Sequence, residues 1–159
     1  MKSIFSALNR SPEYTQLQKA LKSGAVPAVA AGISGVHKCV LTAGLLKESG
    51  LKALIIAADE AEAQRFTEDL QNLGLHPANY PLRDFNFRDS AVSSHEYERQ
   101  RLEALSRLQN GSCDCIVSCI DAALQFTLGP EELSRRLFTL SSGQPLAIDE
   151  LISALTSCG

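Results

Sequence analysis

The sequence lacks any apolar run of the roughly 18–20 residues that a membrane-crossing helix requires, so no such span is expected. It lacks a basic excess: 15 Lys and Arg face 18 Asp and Glu, a net charge of −3. Phosphate binding needs clustered cations, so a surface that grips nucleic acid all round is excluded, although a local basic strip is not. Residues 1–10 lack the long apolar core and small-residue cleavage site of a secretory leader. Tryptophan is absent, yet hydrophobic residues reach 45% against 21% charged, the balance of a globular chain able to bury a core without disulfide or metal. The cysteines Cys39, Cys113, Cys115, Cys119 and Cys158 are odd in number and lack paired Cys-x-x-Cys spacing. Free structural thiols, no metal site and a reducing cytoplasm are therefore expected. His76 and His95 have no nucleophile beside them, so no Ser-His-Asp or Cys-His arrangement is expected, and no catalytic residue is assigned. No internal repeat is visible.

What the sequence does contain is a succession of short apolar runs separated by helical patterns. Ser11 and Pro12 open a helix as N-cap and first helical residue, and Gly24 stops it. Residues 26–31 read as a buried strand with Pro27 near its start. Residues 36–49 read as a helix closed by Gly50, and residues 51–58 as a second strand. Asp59 and Glu62 make a capping-box start to a helix whose inner face is Ala63, Phe66, Leu70 and Leu73. A short strand lies around Asn79-Tyr80, and residues 82–94 read as an ordered loop. Residues 94–108 read as a charged helix with Leu102, Leu105 and Leu108 as its apolar edge. Residues 115–118 read as a further buried strand, followed by a short helical turn over 120–126. Strands alternating with helices, each strand an apolar run rather than an alternation, imply a parallel sheet covered on both faces. After Gly129-Pro130 come a short helix, a strand at 137–140, a turn and a helix at 148–156, too little for an independent core. The expectation is an α/β domain over residues 1–128 and the start of a second, truncated α+β module over 129–159.

The sharpest local signal is Gly32-Ile33-Ser34-Gly35-Val36-His37-Lys38-Cys39, set between an expected strand and an expected helix. A phosphate-binding loop needs glycines so that backbone N–H groups can wrap the phosphates, a Lys for the β and γ phosphates, and a hydroxyl for Mg²⁺. Gly32 and Lys38 are there. His37 replaces the glycine before the Lys, and Cys39 replaces the hydroxyl after it. A thiol is a poor ligand for a hard ion. The loop, including Ser34 and Gly35, therefore reads as vestigial, with anion binding at the helix N-terminus as the weaker alternative. Asp59-Glu60 after an apolar strand resembles a metal-holding acidic pair, but fits better as a helix cap and a first-turn charge.

The segment 81–89 alternates aromatics with Arg-Asp pairs, and a helix rich in Glu and Arg follows. Arg83, Asp84, Phe85, Phe87, Arg88, Asp89, Glu96, Arg99 and Arg101 are the candidate interface residues, since Arg and aromatics are enriched where proteins meet. Here the chain resembles a known family. Pro81, Asp84-Phe85, Arg101-Leu102 with Leu105, residues 116–125 with their Ala-Leu-Gln ending, Leu140-Ser141-Ser142-Gly143-Gln144 and residues 148–155 match in order the amino-terminal part of bacterial transcription-repair coupling factors. That part is in turn similar to the start of the excision-repair protein UvrB. The resemblance runs from about residue 32 to residue 159. It implies a three-layer parallel sheet of P-loop, UvrB-like type, with the nucleotide site lost. It also implies a non-catalytic scaffold without cofactor in transcription-coupled nucleotide excision repair. The family's ATP-driven motor, its displacement of stalled RNA polymerase and its DNA contacts belong to parent domains outside this chain. Its recruitment of UvrA is assigned to a second module, with no UvrA contact carried onto a residue here. Two other readings remain at this point: a working ATP-binding domain of a helicase or excision-repair protein, and a nucleic-acid-binding piece using Arg83, Arg88, Arg99 and Arg101.

Overall fold

Two of the three strands, but not the third, form on continuously apolar runs. In a computed structural model that describes residues 2–25, 27–83, 96–137, 140–145 and 147–158, β1 (Ala53–Ala57), β2 (Pro77–Tyr80) and β3 (Cys115–Cys119) are parallel and ordered β1-β3-β2. Ala53 lies opposite Cys115 and Ala57 opposite Cys119, while Pro77 and Tyr80 lie opposite Cys115 and Ser118. The central strand β3 is buried at all five positions, as a strand covered on both faces must be.

Five helices of the first compact unit, residues 1–125, set the layers: α1 (Lys2–Leu8), α2 (Pro12–Ser23), α3 (Val36–Ser49), α4 (Glu60–Asn72) and α5 (Glu96–Gln109), with a short α6 (Ile120–Ala123) after β3. Alternation sends successive side chains to opposite faces. On one face Ala57, Cys115 and Val117 pack with Cys39, Ala43 and Leu46 of α3 and with Ala63 and Leu70 of α4. On the other, Ala78, Tyr80 and Ile116 pack with Ala104 and Leu105 of α5. Lys47 in the last turn of α3 donates to the Leu73 carbonyl at 2.7 Å, tying the C-terminal ends of α3 and α4. Local signals set the helix ends. The Ser11 hydroxyl accepts from Tyr14 N, Pro12 sits in the first turn, and Gly24 and Gly50 close α2 and α3 at φ 70° and 66°.

Three expectations need correction. Residues 27–31 form no strand; they are without regular structure and exposed, Val29 to 89%. Three of those five residues are alanine, which is poor in strands, and Pro27 removes a ladder donor. The inner face of α5 is Arg101, Ala104 and Leu105, while Leu102 and Leu108 are exposed. Helix α1 was not expected, because its seven residues carry no cap signal.

The second unit, residues 126–159, holds α7 (Pro130–Arg136) and α8 (Ile148–Cys158). Of the strand expected at 137–140, Leu137 caps α7 and Leu140 has no regular structure, while residues 138 and 139 lie outside the described residues. Gly143 turns the chain at φ 80°. Among the described residues no helix is long and apolar enough to cross a membrane.

Candidate functional site

The glycine loop leads into α3, and two of the amides at its end are already used. Gly32 and Gly35 adopt φ 76° and 45°, which the glycines permit. His37 N donates to Ser34 O and Lys38 N to Gly35 O, both at 3.0 Å, so these amides close local turns rather than line an anion cradle. Gly35 caps α3 without a side-chain hydrogen bond. His37 and Ile33 line a cavity of about 590 Å³ whose walls are mainly apolar, with Leu17, Val29, Val40 and Leu41 among them. That is a poor lining for a triphosphate.

Lys38, the residue that would reach the phosphates, pairs with a carboxylate of its own chain. Its Nζ lies 3.2 Å from Glu62 Oε1, with side chains 49% and 30% exposed. The other oxygen, Oε2, accepts from Ala58 N at 2.9 Å, and Glu62 N donates to Asp59 Oδ1 at 2.7 Å. The Ala58 N–H and then Lys38 hold the Glu62 carboxyl below its usual range. Asp59 is thus the N-cap of α4, as the capping pattern indicates, and Glu60 is a first-turn charge. An exposed pair of this kind contributes under about 1 kcal/mol. Removing the cap, Asp59→Ala, is expected to cost about 1 kcal/mol, read as a lower urea midpoint with the slope unchanged.

Cys39 is turned into the core. Its Sγ donates to Asp69 Oδ2 at 3.6 Å, and burial, together with that carboxylate, pushes the thiol up to about 11. It therefore sits as a protonated thiol facing α4, unsuited to hold Mg²⁺. Cys113, Cys115 and Cys119 are free and buried around β3, and burial pushes Cys115 up to about 12. His76 N and Nδ1 both bond Asp114 Oδ2, at 2.7 and 3.3 Å, joining the start of β2 to the start of β3.

A second set of residues meets where β2 ends. Arg101 on α5 is only 6% exposed. Its guanidinium lies 3.9 Å from the centroid of the Tyr80 ring and donates to Tyr80 Oη. It also donates to Pro81 O at 2.8 Å and to Gln125 Oε1 at 3.0 Å. Gln125 accepts in addition from Arg83 N at 2.9 Å and donates to Arg83 O at 3.2 Å. Arg101, expected at an interface, has its fork turned inward onto carbonyls. Sequence patterning could not find this node, since its members lie 20 and 24 positions from Arg101.

With both geometries in view, the relatives bear on what they are for. No protein-family model matches the chain. Transcription-repair-coupling factor of Bacillus subtilis (strain 168) is 28% identical to it over 163 aligned positions, covering 100% of this chain and 14% of that protein. The chain is a relative of the amino-terminal region of transcription-repair-coupling factor. It spans about one seventh of that coupling factor's length. Tyr80, Pro81, Arg101 and Gln125, which fall in or beside separate stretches resembling the coupling-factor family, come together in one hydrogen-bonded node.

The remaining candidate interface residues are placed as follows. Arg83 pairs with Glu98 at 3.0 Å. Arg99 pairs with Glu96 at 2.6 Å and with Glu103 at 3.6 Å, all along the outer side of α5. The Arg99 and Gln100 hydrogen bonds hold the Glu96 carboxyl down at about 2. Asp84, Phe85, Phe87, Arg88 and Asp89 lie outside the described residues.

Proposed function

We propose that the chain is a non-catalytic scaffold and interaction module of the transcription-repair coupling type, acting in transcription-coupled nucleotide excision repair. On this reading residues 1–128 are a UvrB-like domain whose phosphate loop is vestigial. Residues 129–159 open the second, UvrA-binding type of module. Displacement of stalled RNA polymerase, recruitment of UvrA and contact with DNA belong to the remaining domains of a longer parent protein, in the cytoplasm. The supporting observation is the similarity of the whole chain to about one seventh of the coupling factor, taken with Lys38 held by Glu62 and Cys39 turned into the core.

The node around Arg101 gives the scaffold reading a physical form. Pro81 and Arg83 stand just before the segment 84–95, and Glu98 and Arg101 just after it. Arg101, Gln125 and the Arg83–Glu98 pair fasten these two stems to each other. Residues 83–89, with Glu96 and Arg99 of α5, carry the charge and aromatic content that suits docking toward the parent's other domains.

The purified chain is expected to show no Mg²⁺-dependent ATP hydrolysis above background. Lys38→Ala is expected to keep the helical circular dichroism and to cost under about 1 kcal/mol, since it removes one exposed ion pair. Turnover that requires Mg²⁺ and vanishes in Lys38→Ala would refute the non-catalytic reading.

A further inference from the structure

The turn between α5 and β3 holds the chain's one Asn-Gly pair, Asn110-Gly111; Asn9, Asn72, Asn79 and Asn86 precede Arg, Leu, Tyr and Phe. Asn110, Gly111 and Ser112 are all exposed. Gly111 turns the chain at φ 74°, with its N–H on Leu108 O at 3.2 Å and the Ser112 N–H on Arg107 O at 3.0 Å. Ser112 N also donates to Asn110 Oδ1 at 3.0 Å. That bond folds the side-chain amide forward along the Gly111 peptide, as asparagine does in turns. It turns Cγ toward the Gly111 nitrogen and polarises the carbonyl that the nitrogen would attack. Nothing stands within 4 Å of where a Gly111 Cβ would be, so no side chain obstructs the approach.

We propose that Asn110 is a self-modification site, converted to iso-aspartate and aspartate by attack of the Gly111 nitrogen. The nitrogen first gives up its hydrogen bond to Leu108 O, an exposed bond at a helix end, where helices fray. It then bonds to Asn110 Cγ, and the Cγ–Nδ2 bond breaks. The proton that the nitrogen sheds reaches the departing group through water, so ammonia leaves and a five-membered succinimide remains. Water adds to one of the two ring carbonyls. Opening beside Cγ gives aspartate, and opening beside the main-chain carbonyl gives iso-aspartate. One water is taken up and one ammonia released, with no oxidant or cofactor. The product acts on the fold. A carboxylate appears at the C-terminal end of α5, where the helix dipole disfavours it. Iso-aspartate also adds a main-chain carbon just before Gly111, whose carbonyl accepts from Lys52 Nζ at 3.2 Å, while Cys113 O accepts from the same ammonium. Those bonds tie the turn to the residue preceding β1, and the added carbon loosens the tie.

Ageing the chain in mildly alkaline buffer beside a urea-unfolded sample, with peptide mass mapping and an ammonia assay, tests this. Expected is a gain of one mass unit confined to the peptide holding Asn110, matched by the ammonia released. The folded chain is expected to react within about tenfold of the unfolded rate, a barrier difference under roughly 1.4 kcal/mol. Asn110→Gln, which must close a larger ring, is expected to keep the fold and abolish the gain. The aged form, separated by anion exchange, is expected to unfold at a lower urea midpoint than the fresh chain. A folded chain left unmodified while the unfolded sample converts fully overturns the proposal. So does an equal gain at Asn9 or Asn72, which would mean that the turn selects nothing. An aged form with the fresh midpoint overturns the loosening of the tie to Lys52. None of these outcomes bears on nucleotide binding, so the scaffold reading stands or falls separately.

Discussion

Replacing Arg101 with alanine is expected to destabilise the chain by about 3 kcal/mol or more. Three losses combine. The side chain is almost fully buried, so its removal opens a void beside Tyr80. The carbonyl of Pro81 and the amide oxygen of Gln125 lose a charged donor in a place water reaches poorly. The contact of the guanidinium with the Tyr80 ring is lost with them. Arg101→Lys is expected to recover little, because one ammonium cannot serve Tyr80, Pro81 and Gln125 as a planar fork does. Urea unfolding followed by circular dichroism measures the loss. A change below about 1 kcal/mol would mean that the node contributes little to stability.

Gly44→Leu is expected to cost about 2–3 kcal/mol through overpacking. Gly44 lies on the buried side of α3, where a Cβ would stand 2.6 Å from Leu8 Cδ2 and 2.8 Å from Tyr14 Oη. Tyr14 is itself buried, so a leucine side chain must displace its ring as well as its hydroxyl. The contrast with Gly44→Ala is informative. A single methyl gains about 1 kcal/mol of helix propensity. That gain offsets the small shift asked of two side-chain ends, so near-neutral stability is expected. Thermal unfolding of the two variants side by side separates the effects. Equal and small changes would show that α1 and α2 do not pack on α3 as described.

Much of the fold could be read from local rules. The apolar runs at 53–57 and 115–119 became adjacent parallel strands, and Ser11, Asp59, Gly24 and Gly50 set helix ends because caps depend on a few neighbouring residues. Residues 27–31 misled because an apolar run says that a segment can be buried, not that a partner strand lies beside it. The leucines of α5 misled for a related reason. A charged residue such as Arg101 reads as solvated until the carbonyls that satisfy it are known, and those come from the end of β2 and from beyond α6. At the loop, the substitutions at His37 and Cys39 pointed to lost nucleotide chemistry. Only the structure supplied Glu62 as the partner of Lys38 and Asp69 as the partner of Cys39.

The central claim is that the turn before α3 no longer seats a magnesium-bound nucleotide. Titrating Mg-ATP into the isotopically labelled chain, while following the backbone amides of Gly32, Ser34, Gly35, His37, Lys38 and Cys39 by nuclear magnetic resonance, tests it most directly. We predict that these signals stay in place up to millimolar nucleotide. Saturable shifts of the Gly35 and Lys38 amides that need Mg²⁺ and disappear in Lys38→Ala would contradict the account.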